Sequence, residues 1–194
     1  MPPIADTGLY HYLQQQKHPG LKGQITQLAL KKGQQLYGTD KRHTDIYEIV
    51  SGAVKLGGIS AKGEEYIYEV LTPGEFFGNL ALLDDSFSEF CKTLSPVKLR
   101  AYDLSFFRHL MTHDPVVSEW FFGKIVYRWN KTESLLGYIR AYEPRERIQL
   151  LYNSMDRPVL IAPNREVPLN RLLTNKDIAD LTSTTRQLVA DTLK

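Results

Sequence analysis

From Gly33 to Asp103 the polar and apolar positions change over within short β-rich runs, DIYEIVSGAVKLGGIS, EEYIYEVLTPGEFFG and FCKTLSPVKLRAYDL, each punctuated by glycine or proline. Strands this closely spaced predict an antiparallel sandwich or barrel rather than βαβ units. Gly52, Gly58, Gly63, Gly74 and Gly78 stand where tight turns or positive φ would be needed, with Ser51-Gly52 and Pro73-Gly74 the clearest turn signals. After Asp103 the texture changes. SFFRHLMTHDP predicts a short helix ended before Pro115, and the proline-free stretch up to Pro144 predicts a helix of more than 20 residues. Within it Phe121, Ile125, Trp129, Thr132, Leu136 and Ile139 recur at spacings of 4, 4, 3, 4 and 3, close to a heptad seam. A helix lying on its own domain would use the same stripe; self-association through a two-stranded coil is the preferred reading.

Ala141 to Arg145, containing Pro144, reads as a hinge, followed by the helical run RERIQLLYNSM. RPVLIAPNREVPLN, with three prolines, reads as a loop holding at best one short strand pair. The chain thus divides into a β-roll with flanking helices (1–114), a long helix (115–140), a hinge (141–145) and a small carboxy-terminal unit (146–194).

In that unit, LTNKDIADLTSTTRQLVADTLK places Thr174 to cap a helix, with Asp177 three residues on in a near capping-box arrangement. Ile178 and Leu181 face inward, and Thr182-Ser183-Thr184 interrupts the pattern before a second helix that buries Leu188, Val189 and Leu193. Two short helices joined by a tight turn make a helix-turn-helix. The amino-terminal turn of the second helix is the part that reaches base edges in the major groove. Arg186 has the forked donors that match guanine, and Gln187 can pair bidentately with adenine. Thr174, Lys176, Thr184, Thr185 and Lys194 are candidates for phosphate contacts. The unit carries 7 basic and 6 acidic residues, so charge alone does not argue for DNA.

Composition sets the remaining bounds. With 194 residues, 42% apolar and 24% charged, the chain can bury a core, and a net charge of +2 names no partner. One cysteine, Cys91, excludes an intramolecular disulfide, an iron-sulfur cluster and a Cys-rich zinc site. In a strand pattern Cys91 reads as buried and inert rather than redox-sensing. No apolar run approaches ~18 residues and the amino terminus lacks the layout of a signal peptide, so the expectation is a cytoplasmic protein without membrane contact. No G-x-S-x-G, phosphate-binding glycine loop or H-E-x-x-H is present, Asp84-Asp85 reads as a solvated turn, and an enzyme is not expected.

Taken together, KKGQQLY, DIYEIVSGAVKL, EEYIYEVLTPGEFFGNLALLDD, the long helix after Asp114-Pro115 and LTNKDIADLTSTTRQLVADTLK resemble the CRP/FNR family of bacterial transcription regulators over about Lys31 to Lys194. The resemblance implies an α+β chain: an antiparallel jelly-roll β-barrel of the cyclic-nucleotide-binding type, a long dimerisation helix and a winged helix-turn-helix. It implies a homodimer on palindromic DNA, with RNA polymerase as a further partner and a small-molecule effector in the roll. The wing expected after the second helix is absent or truncated, because the chain stops at Lys194.

The implied effector pocket falls on Gly78, Asn79, Leu80, Glu89, Phe90 and Thr132. Members that bind cyclic AMP carry Gly-Glu-Leu and, about ten residues later, an Arg pair; here Gly78-Asn79-Leu80 and Glu89-Phe90 stand instead. A cyclic phosphate would face Glu89 in place of a forked cation, so cyclic AMP is not expected. Thr132 matches a base-contacting position but is also acceptable in the seam. Haem is not expected either, since His11, His18, His43, His109 and His113 qualify as ligands only by residue type. Ser183 stands at the usual turn glycine, tolerable if it avoids positive φ. The competing reading is a ligand-binding or protein-interaction module of the same fold that has lost DNA binding.

Overall fold

In the computed structural model, residues 4–39, 45–78 and 89–194 are described. Among the described residues, eight strands form the roll: β1 (Ile25–Leu30), β2 (Gln35–Tyr37), β3 (Ile46–Ser51), β4 (Val54–Ile59), β5 (Glu65–Leu71), β6 (Phe76–Phe77), β7 (Phe90–Thr93) and β8 (Val97–Tyr102). They pair antiparallel in two four-stranded sheets of order β1-β8-β3-β6 and β2-β7-β4-β5, the interleaving of a jelly roll. Alternation turns Tyr47, Ile49, Val54, Leu56, Leu71, Cys91 and Leu99 into the space between the sheets. Strand β3 is buried at four consecutive positions, Ile46 to Ile49, because its outer face is also covered. There Ile46 packs with Leu9, Tyr12 and Leu13 of α2 (Leu9–Gln15), which follows the single turn α1 (Ile4–Thr7).

Gly52 and Gly74 take the turn positions the sequence reading assigned them, with φ of 87° and 83°. A Cβ on Gly52 would also lie 2.2 Å from the Pro96 carbonyl oxygen, so only glycine fits. Gly58 differs from expectation: it lies inside β4, paired with Tyr66, and not in a turn.

Asp103 caps α3 (Leu104–His113) and Asp114 caps α4 (Pro115–Ala141), accepting from the Val116 and Val117 amides with Pro115 in the first turn. The face of α4 turned to the roll repeats at Val117, Phe121, Lys124, Arg128, Lys131, Leu135 and Tyr138, all buried or half-buried. Phe121 is therefore corrected out of the exposed seam. Its ring meets Phe107 edge-on at 4.9 Å and Phe76 at 5.9 Å, sealing α4 onto the roll. Its neighbour Phe122, 66% exposed, takes that place, and the exposed stripe becomes Phe122, Ile125, Trp129, Thr132, Leu136 and Ile139 at spacings of 3, 4, 3, 4 and 3. Of these Ile139 is half-buried.

Tyr142 and Glu143 are extended, and α5 (Pro144–Ser154) starts directly after them, so the helix break is two residues long. Then come the hairpin of β9 (Pro158–Ala162) and β10 (Arg165–Pro168), a 3-10 turn at Leu169–Leu172, α6 (Asn175–Thr182) and α7 (Arg186–Thr192). This unit sits on the outer face of the β2-β7-β4-β5 sheet, where Ala53, Ile67, Val70, Phe90 and Leu94 share one apolar cluster with Leu151, Val159, Leu169 and Leu181. No helix among the described residues is long and apolar enough to cross a membrane.

Candidate DNA-reading helix and effector cavity

Helix α6 opens on a complete capping box. Thr174 accepts from the Asp177 amide, and the Asp177 carboxylate accepts from the Thr174 amide at 2.9 Å. The turn to α7 passes through Ser183 at φ 52°, ψ 50°, so the condition for an unstrained serine is not met and this residue takes the left-handed conformation. The Thr184 amide, bonded to the Ala179 carbonyl oxygen at 2.9 Å, closes the turn. Thr185 caps α7 by accepting from the Leu188 amide, and Val189 is fully buried against Ile148, Ile178 and Ala179. Arg186 and Gln187 stand exposed at the amino-terminal end of α7.

The candidate contacts differ in how free they are. Arg186 makes no hydrogen bond or ion pair among the described residues, so its fork is available. Gln187 instead donates its side-chain amide to Asp191 at 3.1 Å, and Lys194 pairs with the same carboxylate at 2.7 Å. Lys194 and the hydrogen bond from Gln187 hold the Asp191 carboxyl below the usual carboxylate range. Lys176 is turned away from the expected phosphate position: its ammonium donates to the Glu65 carbonyl oxygen of β5 at 2.8 Å and pairs with Asp180. The Thr174 hydroxyl is taken by Asp177, and Thr184 shares its hydroxyl with Thr182. Thr185 is exposed but holds its cap.

Three further groups tie α6 and its turn to the rest of the chain. Lys55 of β4 pairs with the buried Asp177 at 2.6 Å. Asp180 accepts from the Ile67 amide at 3.2 Å, which satisfies a donor on the edge strand β5. Arg147 of α5 donates to the Ile139 carbonyl oxygen and to that of Ser183, both at 2.9 Å, joining the end of α4 to the turn. Burial raises the Asp177 carboxyl, but Lys55 and the Thr174 hydrogen bonds outweigh it and hold the group below the usual range.

Under α4 lies a cavity of about 760 Å³ walled by β5, the turn after it, β6 and the helix. Glu89 lines it, as expected, and is buried; it accepts from the Tyr37 hydroxyl at 2.5 Å and from the Tyr68 hydroxyl. Burial first, and then the Glu89 charge, push both phenols far up, so both remain donors to that carboxylate. Thr132 lines the cavity, its hydroxyl returned to the Arg128 carbonyl oxygen at 3.0 Å. Gly78 lies beyond the wall, against Tyr47 and the Asp45 carbonyl. Phe90 is a correction: strand alternation sends its ring to the opposite face, into the cluster shared with the carboxy-terminal unit. Asn79 and Leu80 lie outside the described residues.

Sequence reasoning missed the cavity's cations. Arg128 reaches in from α4 and grips Glu69 through Nε at 2.9 Å and Nη2 at 2.5 Å. Burial would lower its pKa, but Glu69 outweighs that and raises it. Lys124 and Arg157 also line the cavity. The signal for Lys124 and Arg128 is their place on the inward repeat of α4; nothing in the local sequence marks Arg157. Cys91 is fully buried, and burial and then Glu89 push its thiol well up, away from a reactive thiolate. None of the described histidines lines the cavity, and the described residues contain no group of three or more metal-ligating side chains.

The described residues thus combine a jelly roll, a long helix over its cavity and a helix-turn-helix in one chain. The profile of the cyclic nucleotide-binding domain family matches residues 27–114. The CRP-like cAMP-activated global transcriptional regulator of Mycobacterium tuberculosis is 20% identical over 187 residues, covering 96% of this chain and 84% of that protein. FixK2 from Bradyrhizobium japonicum superposes with a TM-score of 0.70 at 20% identity, over 87% of this chain and 82% of that one. A cyclic nucleotide-binding domain containing protein from Listeria monocytogenes gives 0.71 at 17% identity, over 97% and 88%. Residues 27–114 thus match the cyclic nucleotide-binding domain family, and the chain as a whole is similar to a CRP-like regulator and shares the fold of the CRP/FNR structures. The Mycobacterium tuberculosis relative and a structural neighbour from Thermus thermophilus are transcriptional regulators.

Proposed function

We propose that this protein is a homodimeric, sequence-specific DNA-binding regulator that does not use cyclic AMP as its effector. The observation that carries the reading is the unpaired, exposed Arg186 at the start of a recognition-type helix whose turn is fixed by two caps and by Arg147. The exposed heptad stripe on α4 supports dimerisation, since Phe122, Trp129 and Leu136 are each more than half exposed. Two such helices related by a two-fold axis would suit a palindrome with half-sites one helical turn apart. Contact with RNA polymerase belongs to the same reading.

The exclusion of cyclic AMP rests on Glu89, which the CRP/FNR resemblance sets near the position of an anion-binding arginine and whose carboxylate accepts from Tyr37 and Tyr68. A signal in the cavity would act only through differential affinity for two arrangements of the carboxy-terminal unit. The test is selection of bound fragments from the organism's own genome, followed by retardation assays with Arg186→Ala. An enriched palindrome, with a loss of about 1–3 kcal/mol confined to one base position, is expected. No enriched fragment even at low salt would instead favour the binding module without DNA activity, a reading that the Gln187–Asp191 tie supports.

A further inference from the structure

The cavity holds four cationic groups on or behind its wall, and they are not equivalent. Arg128 is matched by Glu69 and Lys131 by Glu75, at 2.5 and 3.0 Å. Lys124 and Arg157 have no carboxylate partner among the described residues. Both are anchored on one turn, Thr72-Pro73-Gly74-Glu75, closed by the Glu75 amide donating to the Thr72 carbonyl oxygen at 3.1 Å. Lys124 donates to the Gly74 carbonyl oxygen at 3.2 Å from α4, and Arg157 to the Thr72 hydroxyl at 3.4 Å from the carboxy-terminal unit. Both cations line the same cavity. An ammonium has three donors and a guanidinium five, and each group spends one. Beside them stand the apolar rings of Phe76, Phe121 and Trp129.

We infer that the cavity binds an organic acid with a single negative charge and an aromatic or apolar body, its anionic group gripped between Lys124 and Arg157. The inference rests on reading the cavity as the effector site of a regulator. Glu75 and Glu89 face the same space, but their oxygens are committed to Thr72 and Lys131 and to the two tyrosines, and their charge disfavours a ligand carrying several negative charges. Arg157 belongs to the carboxy-terminal unit, where its carbonyl oxygen is bonded by the Leu169 amide at 2.9 Å. An anion held this way joins α4 directly to the unit carrying the helix-turn-helix. It stabilises their observed arrangement in proportion to its occupancy.

The probe is 8-anilinonaphthalene-1-sulfonate, titrated into the full chain beside its neutral relative N-phenyl-1-naphthylamine, with dye emission and tryptophan quenching recorded. The sulfonate should bind at least roughly ten-fold more tightly than the neutral dye, the scale of a charge-assisted contact. Lys124→Gln and Arg157→Gln, checked for an unchanged circular dichroism spectrum, should each remove most of that preference while leaving the neutral dye's affinity intact. Equal affinity for the two dyes in the unaltered chain, or an undiminished preference in both variants, would overturn the site. Displacement of the sulfonate by cyclic AMP would support the anion site and overturn the exclusion of that nucleotide. DNA retardation on the same preparations reads the regulator function separately, since dye preference does not depend on it.

Discussion

Asp177 serves the start of α6 and the seating of that helix on the roll at once, so its removal should release both. One oxygen accepts from the Thr174 amide and hydroxyl, the other from Lys55 at 2.6 Å, and its side chain is 2% exposed against 22% for Lys55. Losing the cap costs about 1 kcal/mol. Breaking a fully buried pair costs about 3–5 kcal/mol, and the partial exposure of Lys55 reduces that to about 2. Asp177→Ala is therefore expected to destabilise the chain by about 3 kcal/mol, a fall in Tm of roughly 6–12 °C for a protein of this size. The assay is thermal unfolding of Asp177→Ala, Lys55→Met and the double variant, together with hydrogen exchange at the Ile67 amide, which α6 covers through Asp180. A coupling energy of about 1–2 kcal/mol and faster exchange at Ile67 are expected. Additivity within about 0.5 kcal/mol would refute the clamp. The pH dependence has a definite sign. Because the folded carboxyl is held below its ordinary value, its stabilisation is complete above about pH 4 and is lost as the pH falls through the depressed folded pKa. Asp177→Ala should flatten that acid limb.

Ser183→Gly should stabilise the chain by about 0.5–1 kcal/mol by calorimetry, since a left-handed φ of 52° costs a side-chain-bearing residue about 1–2 kcal/mol, part of which the entropy of glycine offsets; destabilisation would show that its side chain is needed. Asp191→Ala frees Gln187 and Lys194 and removes a negative charge from the reading helix, so DNA affinity should rise roughly ten-fold at low salt and less at high salt; an unchanged affinity would take Gln187 out of the interface. Phe122→Glu should convert the proposed dimer to monomer in sedimentation with little change in monomer melting, whereas Phe121→Glu should unfold the junction of α4 and the roll at a cost of about 3–5 kcal/mol. A Phe122→Glu protein that stays dimeric would refute the corrected seam.

The elements were legible wherever local chemistry decides them. Pro115 and Asp114 fix the start of α4, Pro144 the start of α5, and Thr174 with Asp177 the start of α6, because each is a cap or a proline whose preference acts within one turn. Adjacent aromatics on one helix are a different case. Phe121 and Phe122 differ by a 100° rotation, and only the position of Phe76 and Phe107 on the roll decides which ring is buried. Taking Phe121 keeps the stripe nearly periodic, which is why the pattern alone admits either register. Ser183 shows a related limit: its left-handed backbone is imposed by the closure of α6 on α7 and overrides the preference of the residue.

The candidate site was legible in its departures and hidden in its replacements. Reading Glu89 against the family pattern identifies a carboxylate where a cation is expected, and the structure adds that Tyr37 and Tyr68, 52 and 21 residues away in sequence, supply its donors. Nothing local marks those tyrosines, since strand alternation only says that they face inward. Arg157 is further removed: it lies 85 residues after Thr72, in another unit, and reaches the cavity only because Leu151, Val159 and Leu169 seat that unit on Ile67, Val70 and Phe90. Phe90, expected in the pocket, is thus one of the groups that seat the unit carrying Arg157 on the other side of the sheet. On the proposed reading of the cavity, its ligand chemistry and the placement of the helix-turn-helix depend on the same packing, and substitutions in that apolar contact should alter dye preference together with the position of α6.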